Sequence, residues 1–462
     1  MKIKDKNYLS TGLIVFLFLL LLFQSRFIWM DFGQKEENFN GNANSTQIMT
    51  EVLMPQRIVA NYSFKEHYVL LETRKFWSEF IKDISETLKK ATSDNLMVIS
   101  TDEFLNLQNK ESIVFKFNSP LSGSIFVNLI GDEGGASDIN LSVDSIYIDK
   151  ENQIYVAGGN NYYKLDGIKT NINIEDVLEE GKKNGIESLN FFEAYGIKKD
   201  ILVPKNNHIK IEKVYYKSGL KDLLDSEKSN LAQRFLNAPI DYIREITEDD
   251  KETFVYENEY LSLTNTSIEY SNNSKFTNED RNLYRSLNKA IEFIARKTSI
   301  SGGIYLEKIE PLDLGENRGY SFYFNLKDGA IPLVLTSKDH SFIEIDVFSE
   351  HVKSYREYYI REVDDPSYEQ EDIYLEDIDD IVRRNTHLFD GDKVVDMLSK
   401  ITSINMVYLN DQESAVKKPK LVYEIICGDK KYYFDVTDGK LEMFKNGLEK
   451  VENNSNNSAF NS

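Results

Sequence analysis

The sequence predicts an α+β protein. A single N-terminal transmembrane helix is followed by a multi-domain ectodomain, whose C-terminal half is two tandem modules, each a helix on an antiparallel sheet. Three observations carry this prediction. Leu13 to Phe23 is an unbroken apolar run inside Leu9 to Met30. Apolar residues recur at helical spacing at Phe76, Phe80, Ile84 and Leu88, and again at Leu283, Leu287, Ile291 and Ile294. Elsewhere the period falls to two, in runs such as SIVFKF, DSIYID, GYSFYFNL and KLVYEIIC.

Crossing a hydrocarbon core takes about 20 apolar residues, which residues 9–30 supply if Arg26 snorkels outward. Lys2, Lys4 and Lys6 precede the run, and Asp31, Glu36 and Glu37 follow it. The positive-inside rule then places residues 1–8 in the cytoplasm and the rest of the chain outside the cell membrane. A cleaved signal peptide shares the lysines, but no small-x-small site follows the apolar core. Gly12 permits close backbone approach, Gln24, Ser25 and Arg26 supply polar groups, and Trp29 sits at the interface. These five are the candidate anchor and helix–helix contact residues.

Residues 31–50 are polar and Asn-rich and are expected to form a flexible tether. Residues 51–239 form the expected N-terminal α+β domain. In it, Lys75 to Ala91 carries one apolar stripe and predicts a helix, with shorter helices over Ile174 to Lys182 and Leu223 to Leu236. SIVFKF, GSIFVNLI, DSIYID and QIYVAG predict strands, the last two joined by a turn at Asp149 to Asn152. The GDEGG stretch (131–135) is expected to be a solvated loop.

A repeat organises the second half. In the middle module, 240–362, a helix over Glu279 to Lys297, capped by Thr277 or Asn278, precedes the strands GIYLEKIEPL, GYSFYFNL, IPLVLT and SFIEIDVF. An acidic linker at 363–380 contains Pro366. In the C-terminal module, 381–450, a helix starting near Ile378 and running to Ile401 precedes INMVYLND, KLVYEIIC and KYYFDVTDGKLEMF. A helix and a small sheet each need the other to bury an apolar face, which explains the order. Residues 451–462 are expected to be a disordered tail.

Lys and Arg total 55 against 76 Asp and Glu, a net charge of −21. That surface repels nucleic acid and anionic lipid heads, so neither is an expected ligand. Cys427 is the single cysteine, so no internal disulfide can form, and its apolar neighbours suit an inert strand residue. The five histidines share no metal-ligand spacing, and no nucleophile elbow, P-loop or dinucleotide fingerprint occurs. The chain is therefore not expected to be an enzyme, and no catalytic, metal or cofactor residue is assigned.

The layout resembles the YycH family. The carriers are the Pro-containing strand Met54-Pro55-Gln56-Arg57-Ile58, the stretch TFVYENEYLSLTNTSIEYSN (253–272), and the terminal INMVYLND and KPKLVYEIICGDKKYYFDVTDGKL. The last is similar to the closing module that YycH shares with YycI, although Lys420-Leu421-Val422 stands where an aromatic is expected. The resemblance implies an extracytoplasmic accessory protein that binds a WalK-like sensor histidine kinase together with a YycI-like membrane protein. Such a protein tunes the kinase, and through it cell-wall metabolism in Gram-positive bacteria, without cofactor or catalysis. Two alternatives stay open: a membrane-anchored cell-wall enzyme, needing a cleft carboxylate of raised pKa, and an extracellular inhibitor or ligand-binding module.

Overall fold

The helix Arg74–Lys89 buries the predicted stripe of Phe76, Phe80, Ile84 and Leu88, and Trp77 with it. The structure, a computed structural model, describes residues 41–446 apart from 64, 129–140, 160, 206–207, 213, 249, 299, 301–302, 337–340, 364–369 and 411–416. The predicted anchor with Gly12, Gln24, Ser25, Arg26 and Trp29, the GDEGG loop and the tail 451–462 lie outside the described residues. Among the described residues no helix is long and apolar enough to cross a membrane.

That helix covers the first sheet. Its strands are β1 (Arg57–Ser63), β2 (Glu66–Leu70), β3 (Leu96–Ile99), β4 (Ser112–Ser122), β5 (Ser142–Asp149), β6 (Gln153–Gly158), β7 (Asn161–Lys169), β8 (Ile186–Asn190) and β9 (Leu202–Pro204). Their spatial order is β3-β7-β6-β5-β4-β1-β2-β8-β9. The Trp77 ring packs 5.7 Å from Phe115, 5.6 Å from Phe117 and 6.3 Å from Phe126. The turn between β5 and β6 falls at the predicted place, with Asn152 at φ 62°. One expectation fails here: GSIFVNLI is not a strand, because Gly123–Asn128 is helical. Ile125 and Phe126 are adjacent and both fully buried, which a strand with one covered face cannot provide.

A second correction concerns the tether. Its last ten residues belong to the helix Gly41–Val52. Ile48, Met49, Val52 and Leu53 are buried, and the Trp77 indole N–H donates to the Thr50 carbonyl at 3.1 Å. The polar composition of GNANST hides this element, which is held by packing on the helix Leu283–Lys297 rather than by propensity.

The connecting strands β10 (His208–Glu212) and β11 (Tyr216–Ser218) lead to the second sheet. Its strands are β12 (Arg244–Glu248), β13 (Lys251–Tyr256), β14 (Glu259–Leu263), β15 (Ser267–Asn272), β16 (Ile304–Leu314), β17 (Asn317–Asp328), β18 (Ile331–Leu335), β19 (Ile343–Phe348) and β20 (His351–Tyr358). After β21 (Ile360–Glu362) and β22 (Gln370–Tyr374) it continues with β23 (Ile401–Asn410), β24 (Lys420–Cys427), β25 (Lys430–Asp435) and β26 (Leu441–Asn446). The order is β12-β13-β14-β15-β20-β19-β17-β18-β23-β24-β25-β26, with β16 on β17. The helix Leu283–Lys297 covers the first part, burying Leu287, Ile291 and Ile294 as predicted. Its cap is Asn282, whose side chain accepts from the Arg285 N–H at 2.9 Å. Asn278 instead fastens the chain to Arg318.

Both predicted repeats are therefore present as meanders, but they share hydrogen bonds. β18 pairs in parallel with β23, Leu333 opposite Tyr408 and Val334 opposite Leu409, so the modules form one sheet. Among the described residues of the acidic linker there is also more order than expected: β22 pairs with β10, and Leu375 and Ile378 are buried. Lastly, the helix expected from Ile378 to Ile401 is two, Ile378–Arg384 and Val394–Lys400, and Ile401 already begins β23. Gly391 between them stands at φ 145°, a conformation no helix accepts.

Candidate functional site

Two places gather polar groups in a way that packing alone does not require. The first is the joint where the helix Gly41–Val52 enters the body. Glu51 near its end is 4% exposed. One Glu51 carboxylate oxygen accepts from the Gly303 N–H at 2.8 Å, and the other pairs with Arg74 at 3.2 Å. The Lys327 ammonium donates to the Glu51 carbonyl at 3.0 Å. Gly303 leads into β16 and Lys327 lies on β17, both of the second sheet, while Arg74 opens the helix that covers the first, so one glutamate ties the first helix to both halves. Burial pushes the Lys327 pKa down to about 7, with Glu51 and Glu72 opposing and Arg74 adding to the shift. A groove of about 370 Å³ runs beside the joint, lined by Thr46, Met49, Ile81, Tyr284 and Ile291 among others.

A second fastening lies between the first sheet and the end of the second. Lys116 on β4 meets Asp200 at 2.7 Å, and Gln108 donates to the same Asp200 oxygen at 2.6 Å. Burial raises the Asp200 pKa, but Lys116, Gln108 and Arg57 overcome it and hold the carboxyl below its ordinary value. Arg57 donates to the Ile404 carbonyl at 3.3 Å, and Lys199 donates to the carbonyls of Ser399 and Ile401. Charged side chains of the first domain thus hold the backbone of β23.

The second candidate place is a cleft of about 550 Å³ between the end of the helix Asp225–Leu236, the β13–β14 hairpin and the helix Leu283–Lys297. Its floor is aromatic: Phe235, Tyr270 and Phe293 lie 5.2 to 6.2 Å apart, centre to centre. Glu259 stands on one wall, where Asn272 donates to it at 3.2 Å. Burial holds its carboxyl above the usual carboxylate range, against the Tyr270 hydroxyl and the Lys297 charge. Across from it, burial holds Lys297 below the usual ammonium range, with Glu259 opposing. The Lys297 ammonium donates to the Arg234 carbonyl at 2.7 Å. His351, stacked on Phe276 at 4.1 Å, closes one side, and burial and Lys353 keep it low in pKa. Perturbed groups gathered in a cleft mark a candidate site on physical grounds.

Neither place was singled out from sequence. Glu259, Tyr270, Lys297 and His351 span more than ninety positions, and only the meander and the helix bring them together. Cys427 fits its expectation, since burial pushes its thiol up to about 11 and so away from reactivity. Among the described residues no three His, Cys, Asp or Glu side chains form a group that could hold a metal.

No family model matches the chain, and no curated protein matches it. A solved structure, the Bacillus megaterium YpeB C-terminal domain, is similar over 48% of this chain and 97% of its own length, at 12% identity and a TM-score of 0.28. A likeness that weak fixes neither fold nor function, and the resemblance to the YycH family rests on the residues quoted for it.

Proposed function

We propose that the chain is a membrane-anchored extracytoplasmic regulator that binds a WalK-like sensor histidine kinase and a YycI-like partner and tunes the kinase. The observation that supports this reading is the joint at Glu51. A segment that only displayed a domain would need no buried contacts where it meets the body. Here the helix Gly41–Val52, which follows the predicted anchor in the chain, is fastened to the second sheet and to the helix covering the first, so a displacement that reaches residue 41 is passed to the exterior part. Regulation then needs only that the protein bind two kinase states unequally, and the shift it can produce is limited to that difference.

The test has two arms. Replacing Leu9 to Met30 by an unrelated single-pass helix should leave the exterior part folded but weaken recovery of the kinase and the YycI-like protein from membranes. Inserting two alanines between Asn44 and Ser45 turns the start of the helix Gly41–Val52, where the chain arrives from the anchor, by about 200° relative to the joint, at about 100° per residue. That insertion should change kinase output without changing recovery. Equal recovery and unchanged output in both arms would sink the proposal.

The cell-wall-enzyme alternative has one observation in its favour, the raised pKa of the Glu259 carboxyl in a cleft. Glycoside hydrolysis needs a second carboxylate; Glu257 of the same lining could supply one, while Glu292 and Glu350 are both engaged by Lys289, at 3.7 and 3.8 Å. Sugar released from purified cell wall by the full chain, and lost in Glu259→Gln, would favour this alternative.

A further inference from the structure

The cleft beside the helix Leu283–Lys297 brings acidic and basic groups to one aromatic floor, and Lys289 already engages two of its carboxylates, Glu292 and Glu350. The hairpin contributes Glu257 and Glu259, from the turn and the first residue of a strand. The last turn of the helix contributes Arg296 and Lys297. Glu259 and Lys297 are close enough to influence each other's charge, yet they do not close into an ion pair. The cleft between them, floored by Phe235, Tyr270 and Phe293, falls within the range of ordinary small-molecule sites, about 300–1,000 Å³.

A second feature stands apart from the charges. Glu257, at the lip, has φ 51°, where glycine or asparagine is the favoured residue of a hairpin turn. The hairpin thus presents a carboxylate where its geometry would be better served by glycine.

We infer that this cleft binds a small zwitterion with an apolar body, a free amino acid or a short peptide. Its ammonium lies against Glu257 and Glu259, its carboxylate against Arg296 and Lys297, and its side chain on the aromatic floor. Each end supplies charge-assisted hydrogen bonds, and the ligand completes the charge pairing that the cleft leaves open. Burial disfavours the charged forms of both Lys297 and Glu259, each only partly offset by the other's charge. A zwitterion relieves both at once, whereas an anion or a cation alone relieves only one. This inference does not depend on the chain regulating a kinase.

The experiment is calorimetric titration of the full-length chain in detergent micelles with the dipeptide Ala-Phe, with free phenylalanine, and with N-acetylated and amidated Ala-Phe. Ala-Phe should bind, and blocking either terminus should weaken binding by at least about tenfold. Glu259→Gln should remove the preference for a free amino end and keep the preference for a free carboxylate. Arg296→Gln and Lys297→Met should do the reverse. Arg296 is exposed, so its variant keeps the fold even if the other two do not. Absence of heat from both free ligands at millimolar concentration would overturn the inference, as would equal binding of the blocked and free dipeptides.

Discussion

Lys327 shows what one buried group can impose. Its nearest charges are Glu51, Arg74 and Glu72, and none cancels the cost of burial. In the unfolded chain this lysine holds its proton up to about 10.5, but in the fold only up to about 7. Between those values the unfolded chain binds more protons, so stability rises with pH across that window and is lost as pH falls towards 7. Each unit of the window contributes about 1.4 kcal/mol at most. Thermal melts of the full chain between pH 7 and 9 should therefore rise more steeply for the native protein than for Lys327→Met. Parallel slopes would mean the ammonium is solvated. Asp200 presents the opposite case, because removing it strands Lys116, whose side chain is only 10% exposed. Asp200→Ala should cost about 3–5 kcal/mol in chemical denaturation, and adding Lys116→Met should recover part of it.

At the scale of single elements, strong stripes were legible and short or polar segments were not. The helices Arg74–Lys89 and Leu283–Lys297 follow directly from apolar residues at helical spacing, as β16, β17, β19, β23 and β24 follow from alternation. Gly123–Asn128 departs from the strand expectation because its three apolar residues, Ile125 to Val127, are too few to show a period, and packing under Trp77 decides it. Strand β22 departs from the expectation that its charges make a solvated run, because Ile373 is buried, Tyr374 packs on His208 and Leu375 just after it is buried too. The cleft was illegible for a different reason: its chemistry is assembled across strands, where spacing carries no record. The helix Gly41–Val52 offers the sharpest element-scale prediction. Glu51→Ala removes the acceptor of the Gly303 N–H and the partner of Arg74, and should cost about 1–3 kcal/mol. Because Trp77 donates to the neighbouring Thr50 carbonyl, its fluorescence should shift to the red as the helix loosens. An unchanged spectrum and melt would show that the apolar residues alone hold the helix.

For the molecule as a whole, the pairing of β18 with β23 decides how the two modules behave. Separate units would melt in two steps. A shared sheet, reinforced by Arg57 and Lys199 on the backbone of β23, should give one calorimetric transition for both modules, and cleavage between 364 and 369 should not release the C-terminal one. The same pairing has a consequence for how the protein is made. β18 ends at Leu335, but the strand that completes its edge does not end until Asn410. A chain emerging from its N-terminus must therefore carry Ile331-Pro332-Leu333-Val334-Leu335 with an unfilled edge while the next seventy or so residues are synthesised. Open apolar edges are what growing chains aggregate through. Pro332, which cannot donate to a passing strand, and the charged residues Lys327 and Asp328 just before it act as guards during that interval.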